Sequence, residues 1–249
     1  MYNYVTGEEK ISLKKLYEIS VLAVLIISIS ATDAWPSPRL TLPETVFNFG
    51  YVPQHSLVSH RFWLLSTGED TLRIERIIPG CSCTRAPLKK NKLASGDSTV
   101  VEIIFSTKSF RNRIEKSPKI QTNENTPNKS LKIIANVLAK TDSTFPVIIE
   151  PFKISLPKSE TEQINKRQFS IKNVSKEDLK LELISVPDGY FEIDLPVEIK
   201  AGETKTGEVR LLKDSIEKSF QKSFTIRFND DFGSRFTIPV KRTIDYTGN

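Results

Sequence analysis

Residues 65–74 read LSTGEDTLRI, an apolar segment, a polar turn and a second segment in which apolar and polar residues alternate. Such alternation places one face of an extended strand on a core and the other in solvent. Similar short runs of Val, Ile, Phe and Leu follow from Leu40 onward, among them residues 58–65, 99–105 and 130–137. No segment of this part of the sequence has a long helical stripe. Many short strands without intervening helices predict an all-β fold built as a β-sandwich.

The strand–turn–strand pattern occurs twice. Residues 171–181 (IKNVSKEDLKL) repeat the shape of residues 65–74, and a later turn in residues 93–98 (LASGDS) is matched by residues 199–204 (IKAGET). Leu72 and Leu179 are 107 positions apart, and Gly96 and Gly202 are 106 apart. A spacing of about 100 residues is the size of one small β-sandwich. We therefore predict one sandwich that has been duplicated, with the boundary in the polar stretch 140–144.

The N-terminal region has the pattern of an export signal. Lys14 and Lys15 precede 13 apolar or small residues (19–31), and small residues follow over positions 32–34. This run is shorter than the roughly 18 residues of a membrane-spanning helix. We predict export with cleavage after Ser30 or Ala34; an uncleaved membrane anchor and a buried helix of a cytoplasmic protein are the alternatives. Without a cysteine after the run, a lipoprotein anchor is not expected.

The chain is moderately basic, with a formal net charge of +6 at pH 7 that becomes +7 without residues 1–34. A cationic surface favours anionic envelope polymers or lipids. The densest basic stretch, residues 108–119, has five cations and one acid, and we expect a solvated loop there rather than a nucleic-acid site. The expected partner is an envelope protein or an anionic envelope polymer, with no nucleic acid. Membrane contact is expected only through the N-terminal segment, if that segment is uncleaved.

Both cysteines lie in one triplet, Cys81-Ser82-Cys83, directly after Pro79 and Gly80. In a regular strand, residues two apart are about 6.6 Å from each other, whereas a disulfide needs its Cβ atoms about 3.8 Å apart. A bond within the triplet therefore requires the chain to curl, which Gly80 permits. The pair is interpreted in three ways: small buried side chains that fill the end of a sandwich, a thiol–disulfide exchange pair, or a soft-metal site.

The metal interpretation favours Cu(I), which accepts two thiolates at low coordination number. Zinc usually needs four ligands, and the remaining strong candidates are His55 and His60. If the turn at residues 67–70 closed a hairpin, His55 would come near Cys81, and His60 would lie on the opposite face of its strand. The predicted ligand set of this alternative is therefore Cys81, Cys83 and His55. The preferred interpretation has no cofactor.

The sequence contains no recognisable catalytic constellation. Its two histidines are five residues apart in one strand region, without a Gly-x-Ser-x-Gly elbow or a His-Glu-x-x-His helix. The second half of the chain has neither Cys nor His. We predict no catalytic residues and expect that the protein is not an enzyme.

About residues 41–138 resemble domain of unknown function 1573, a bacterial family of exported Ig-like domains. The motifs that carry the resemblance are Phe47-Asn48-Phe49-Gly50-Tyr51-Val52, His60-Arg61-Phe62, Ser66-Thr67-Gly68, Cys81-Ser82-Cys83-Thr84 and Ala94-Ser95-Gly96-Asp97. Three serines depart from the family pattern: Ser66 stands for Asn, and Ser82 and Ser109 each stand for Gly. The resemblance implies an Ig-like fold and export. It implies little about activity, because the family is uncharacterised and a fold does not dictate function.

The complete prediction is two tandem Ig-like β-sandwich domains preceded by an N-terminal signal or anchor helix. Its segments are a signal peptide or short membrane anchor (1–34), an Ig-like domain with the Cys-x-Cys motif (35–140) and a second Ig-like domain (145–249). The protein is expected to be periplasmic or otherwise extracytoplasmic, or membrane-anchored. Its predicted function is non-enzymatic binding or organisation of cell-envelope components. The alternative is an extracytoplasmic thiol-redox or Cu(I)-binding protein that acts through Cys81 and Cys83.

Overall fold

Short β-strands dominate residues 36–125, 128–140, 142 and 144–245, the part of the chain that this computed structural model describes. The first eleven strands are β1 (Leu40–Thr41), β2 (Val46–Pro53), β3 (Leu57–Ser66), β4 (Leu72–Ile78), β5 (Thr84–Arg85), β6 (Lys92–Leu93), β7 (Ser98–Ser106), β8 (Asn112–Lys116), β9 (Lys119–Thr122), β10 (Lys129–Ser130) and β11 (Lys132–Leu138). The next nine are β12 (Val147–Glu150), β13 (Ile154–Lys158), β14 (Lys166–Asn173), β15 (Leu179–Ser185), β16 (Phe191–Asp194), β17 (Glu198–Ile199), β18 (Thr204–Leu211), β19 (Phe220–Phe228) and β20 (Arg235–Ile244), with a 3₁₀ turn at Lys213–Ser215. The predicted all-β class is confirmed.

Two layers of strands enclose the first hydrophobic core. One layer has the strand order β1-β3-β7-β5; the other contains β10-β9-β4-β6 and, through the consecutive strands β8 and β9, the group β8-β11-β2. Strand β7 shows why these segments form strands, because Val101, Ile103 and Phe105 alternate with half-buried residues and are fully buried. Apolar side chains from both layers meet in one cluster drawn from residues 40–137. These eleven strands are called the first sandwich below.

A second core, drawn from residues 147–240, lies within strands β12–β20, which are called the second sandwich. One layer has the order β12-β14-β18-β16, and the facing layer contains β17-β15-β19-β20, with β13 paired to β20. Seven phenylalanines contribute to this core: Phe152, Phe169, Phe191, Phe220, Phe224, Phe228 and Phe236. The second half of the chain thus builds a separate core of its own.

The two sandwiches use the same strand pairings, which confirms the duplication predicted from the spacing. Leu72 pairs with Leu93 in the first sandwich, and the corresponding Leu179 pairs with Ile199 in the second. The turns also correspond. Gly96 and Gly202 have φ angles of +79° and +74°, a region in which glycine is favoured. The residue after each glycine accepts a backbone hydrogen bond through its side-chain carboxylate.

One sheet continues from the first sandwich into the second. Its order is β17-β15-β19-β20-β2-β11-β8, and the link is a parallel pairing of Tyr51 in β2 with Phe236 in β20. The described residues from Pro38 onward accordingly form one compact unit. The residues that touch across this link come from chain segments more than 180 positions apart.

The predicted signal or anchor segment lies outside the described residues. Within them, no helix has both the length and the apolar character required to cross a bilayer.

Candidate functional site

The Cys81–Cys83 pair lies where the chain crosses from one layer of the first sandwich to the other. Strand β4 ends at Ile78 in one layer, and β5 pairs with β7 in the facing layer. Between them Gly80 adopts a φ of +84°, and the backbone N–H of Thr84 donates to the carbonyl oxygen of Cys81 at 3.2 Å. This turn supplies the curl that a bond within the triplet requires. The structure accordingly contains a Cys81–Cys83 disulfide with a Cα–Cα distance of 5.2 Å.

The two sulfur atoms of this disulfide have unequal surroundings. Cys83 is 5% exposed and belongs to the first core, whereas Cys81 is half-buried and packs against the edge of that core. The Thr84 hydroxyl lies 3.3 Å from Cys81 Sγ and 3.9 Å from Cys83 Sγ. The Lys108 ammonium lies 3.5 Å from the hydroxyl of Ser82, the central residue of the triplet. A thiolate from another molecule therefore has readier access to Cys81 than to Cys83.

The hairpin used to place His55 beside Cys81 is wrong. Strand β3 pairs with β1 and β7, whereas β4 pairs with β6 and β9 in the opposite layer, because the chain crosses between layers at residues 67–71. His55 instead occupies a turn after β2 with a φ of +51°, and its backbone N–H donates to the carbonyl oxygen of Lys108 at 2.8 Å. Within the described part of the chain, no three side chains of the His, Cys, Asp or Glu types are grouped to hold a metal.

His60 lies at the contact between the two sandwiches. Its Nε2 is 2.8 Å from Glu44 Oε2 and its Nδ1 is 3.1 Å from Ser185 Oγ, and its ring stacks on Phe47 with a centroid distance of 3.5 Å. Ser185 belongs to the second sandwich. The imidazole therefore joins the two halves through its single hydrogen bond to Ser185.

A groove of about 410 Å³ lies beside His60, between the sandwiches. Its first wall comes from β3 and β7 of the first sandwich. Its second wall comes from residues 183–188 and from Ser223 of the second. The Arg61 guanidinium pairs with the Asp188 carboxylate across it. Trp63, 50% exposed, stands on the β3 side.

An ion pair next to the groove holds its two walls together. The Lys222 ammonium in β19 lies 2.7 and 2.8 Å from the two carboxylate oxygens of Glu102 in β7. The two side chains are only 14% and 18% exposed, so solvent screens the pair less than a surface pair. The backbone N–H of Ser59 also donates to the Ser223 hydroxyl at 2.9 Å. The groove thus has walls fixed by polar contacts.

The Asn48-Phe49-Gly50 motif forms the other part of the contact between the sandwiches. The Thr237 hydroxyl donates to the Phe49 carbonyl at 2.7 Å, and Arg235 Nη1 donates to the Asn48 carbonyl at 3.2 Å. Gly50 has a φ of +65°, and a Cβ placed there would lie 2.6 Å from Arg235 Cβ and closer still to the Arg235 carbonyl group. The motif quoted for the family resemblance therefore packs directly on β20.

Sequence reasoning missed the groove and the ion pair. Glu102 is the one charged residue of β7, but the local pattern does not identify its partner, which is 120 positions away. The glycine of the Asn48-Phe49-Gly50 motif was a usable signal, because a glycine inside a strand often marks close approach of another backbone. The basic stretch expected to be a solvated loop is also different in the structure. Residues 112–116 of it form β8.

Solved structures similar to this chain have low sequence identity and low TM-scores. A protein of unknown function from Porphyromonas gingivalis W83 is 13% identical, with a TM-score of 0.35 over 82% of this chain and 98% of that one. The ASH/PapD-like domain 7 of human CEP192 is 9% identical, with a TM-score of 0.35 over 45% of this chain and 93% of the domain. The E. coli chaperone DraB is 10% identical, with a TM-score of 0.30 over 83% and 97%.

No curated protein matches the chain. The family model that matches carries no activity in its description, so these comparisons give no positive indication of an enzyme. That model covers residues 40–137, the segment with the aromatic–Phe–Gly, His-x-Phe and Cys-x-Cys-Thr motifs. Residues 40–137 therefore belong to the family described as protein of unknown function DUF1573.

Proposed function

We propose that this protein is a non-enzymatic, exported tandem Ig-like protein that binds or organises cell-envelope components, either an envelope protein or an anionic envelope polymer. The groove between the sandwiches, with Trp63 at its edge, is the observation that carries the proposal. Trp63 is 50% exposed although its ring is large and apolar. Tryptophan is enriched among the residues that contribute most to binding, because it combines apolar area with one hydrogen-bond donor.

The walls of the groove also support a binding role. The ion pair between Lys222 and Glu102 and the hydrogen bond between Ser59 and Ser223 connect them before any ligand arrives. A site whose walls are already ordered loses less conformational entropy on binding. Arg61 and Asp188 offer both signs of charge at the rim. Such a site suits a segment of a partner with an apolar residue for Trp63 and polar groups for the rim.

The proposed location is extracytoplasmic, reached through the N-terminal signal or with that segment retained as a membrane anchor. The test is a pull-down from envelope extracts with the immobilised full chain and its Trp63→Ala variant. Phe232→Ala is the matched control, because Phe232 is an aromatic residue of the second sandwich that is 85% exposed and lies outside the groove. We expect specific components on the parent and on the control but not on Trp63→Ala. Retention equal on all three, or nothing above background on the parent, contradicts the proposal.

The disulfide favours a second candidate, an extracytoplasmic thiol-redox protein. In this reaction a thiolate of an exported dithiol protein attacks Cys81 Sγ, the S–S bond breaks and Cys83 leaves as a thiolate. The second thiol of the partner then resolves the mixed disulfide, so the partner is oxidised and the Cys81–Cys83 pair is reduced. A proton from solvent completes each thiol. The half-buried position of Cys81 and the burial of Cys83 give the attack this direction.

A Cu(I) form of this candidate, held by Cys81 and Cys83, would require the reduced pair, because thiolates are the soft ligands. This candidate thus has two forms, a thiol-redox protein and a Cu(I)-binding protein. Both are tested by the native mass of the chain purified from the envelope with its free thiols trapped by alkylation. Two alkyl groups without metal count against it, whereas a loss of two hydrogens or a bound copper supports it. Copper titration of the reduced chain, with Cys81→Ser and Cys83→Ser as controls, tests the copper form separately. Equal binding by parent and variants rules it out.

A further inference from the structure

The outer side of β8 is an open sheet edge that the crossover at Cys81 creates. Strand β4 pairs with β9 as far as Ile78 and Lys119, and Gly80 passes Ser117, whose carbonyl oxygen would lie 3.8 Å from a Cβ on that glycine. The chain then turns away to β5 in the other layer. Strand β8 pairs with β11 on its inner side, and no second strand of the described residues pairs with its outer side.

The residues on and around this edge are cationic. Five cations and one acid occupy residues 108–119, a net charge of +4, and Lys132 of the neighbouring strand adds another cation. The single acid, Glu115, is already paired: Arg113 Nη2 lies 2.5 Å from Glu115 Oε1, and Lys132 Nζ lies 3.5 Å from Oε2. The hydrogen bond from Arg113 holds the pKa of the Glu115 carboxyl below its usual range, with a weaker contribution from Lys132. The lowered pKa keeps Glu115 ionised, and the edge is positive at neutral pH because its cations outnumber this one carboxylate.

Contacts with the first core hold the edge strand in place without a ligand, after its first residue, Asn112, which has a φ of +64°. Ile114 packs against the first core, and Phe110 stacks near Phe105 with a centroid distance of 6.0 Å. The Lys116 ammonium lies 5.3 Å from the centroid of the Phe110 ring. A preformed strand loses little conformational freedom when another strand is added.

We propose that the outer edge of β8 binds an extended acidic segment of a partner protein by strand addition. Backbone hydrogen bonds supply the pairing, and the cations select acidic side chains. The same cations disfavour pairing of this edge with a like-charged edge, which is how exposed edges are kept from aggregating. This proposal adds a second surface to the proposed function and does not depend on the groove at Trp63.

The test measures fluorescence anisotropy of a labelled peptide of alternating Glu and Val with the full chain. Two probe controls separate strand addition from simple charge attraction. In one, Lys replaces every Glu. In the other, Pro replaces alternate Val residues, so the charge is retained but the backbone cannot pair. We expect binding of the first peptide alone, together with slower amide hydrogen exchange in residues 112–116.

The matched protein variants remove two charges at the edge or elsewhere. Arg111→Gln with Arg113→Gln should weaken peptide binding about fivefold, from about 0.5 kcal/mol for each exposed charge. Arg167→Gln with Lys172→Gln removes the same charge from β14, an interior strand, and should leave binding unchanged. Equal binding of the proline peptide, unchanged exchange in β8, or equal losses in both variants overturn the proposal.

A second copy of this chain could occupy the outer edge of β8 instead of an acidic partner. Sedimentation velocity of the chain without peptide tests this alternative. Self-association that disappears in the β8 variant would replace the acidic partner with another copy of this chain and overturn the proposal. The pull-down with the parent chain and Trp63→Ala tests the proposed function independently of β8. If it succeeds while every peptide measurement fails, β8 is rejected as a site and the proposed function remains.

Discussion

Gly50→Ala tests whether the two sandwiches are held together as the structure shows. At Gly50 a Cβ would lie 2.6 Å from Arg235 Cβ and closer still to the Arg235 carbonyl group. Real Cβ atoms essentially never have a neighbour closer than 3.0 Å. Two of the opposing atoms are backbone, so no side-chain rotation relieves the overlap. Either β2 and β20 separate, or both sandwiches deform.

The expected cost has two parts. A left-handed φ of +65° costs an alanine about 1–2 kcal/mol relative to glycine. Overpacking against the Arg235 backbone adds about 1–3 kcal/mol. The control is Gly96→Ala, because Gly96 has a φ of +79° and nothing within 4 Å of the added Cβ. This control carries the first cost without the second, so the difference between the two variants isolates the contact between the sandwiches.

The assay is urea unfolding of the parent and both variants, combined with limited proteolysis near residues 139–146. We expect a free energy of unfolding about 1–3 kcal/mol lower for Gly50→Ala than for Gly96→Ala, and faster cleavage between the sandwiches in the former. Equal unfolding free energies within about 0.5 kcal/mol and equal cleavage would refute the placement of Arg235 against Gly50.

Three further substitutions test individual contacts. Ser66 Oγ is buried without a hydrogen-bond partner in the described structure, whereas Asn173 at the equivalent position donates to the carbonyls of Glu177 and Ile199. Ser66→Asn should therefore stabilise the chain by about 1 kcal/mol in thermal unfolding, and a destabilised variant would contradict the equivalence. Serine at both Cys81 and Cys83 should cost no more than about 1.6 kcal/mol, because the bond closes a loop of three residues; a urea-measured loss above about 4 kcal/mol would show a larger structural role. Arg242 is 1% exposed and donates to four backbone carbonyls, so Arg242→Met should cost at least about 3 kcal/mol, and an unchanged melting temperature would contradict that bonding.

The local pattern of the chain predicted features that depend on neighbouring residues. Alternation in residues 99–105 predicted the strand that became β7, and the 107-residue spacing of Leu72 and Leu179 predicted the duplication. The curl at Gly80 was also predictable as a possibility, because glycine has no Cβ and so permits a positive φ. These features follow from side-chain periodicity and backbone sterics.

Features that depend on which segments meet were mispredicted or missed. The turn at residues 67–70 was interpreted as a hairpin, although the two strands that flank it lie in opposite layers. A polar turn after an alternating strand occurs both in a hairpin and in a crossover between layers, so the sequence does not separate the two. The predicted position of His55 next to Cys81 rested on that hairpin.

The sequence by itself determined that this protein is a duplicated all-β chain, because alternation and turn residues act over a few positions. Only the tertiary structure decided that Cys81 and Cys83 form a disulfide at a crossover, that β8 is left as an edge and that Gly50 packs on Arg235. The partners in the contact between the sandwiches are far apart in sequence, 120 positions for Glu102 with Lys222 and 187 for Asn48 with Arg235. Such contacts form because two cores place their strands side by side. The sequence of one strand does not indicate which distant strand it will contact.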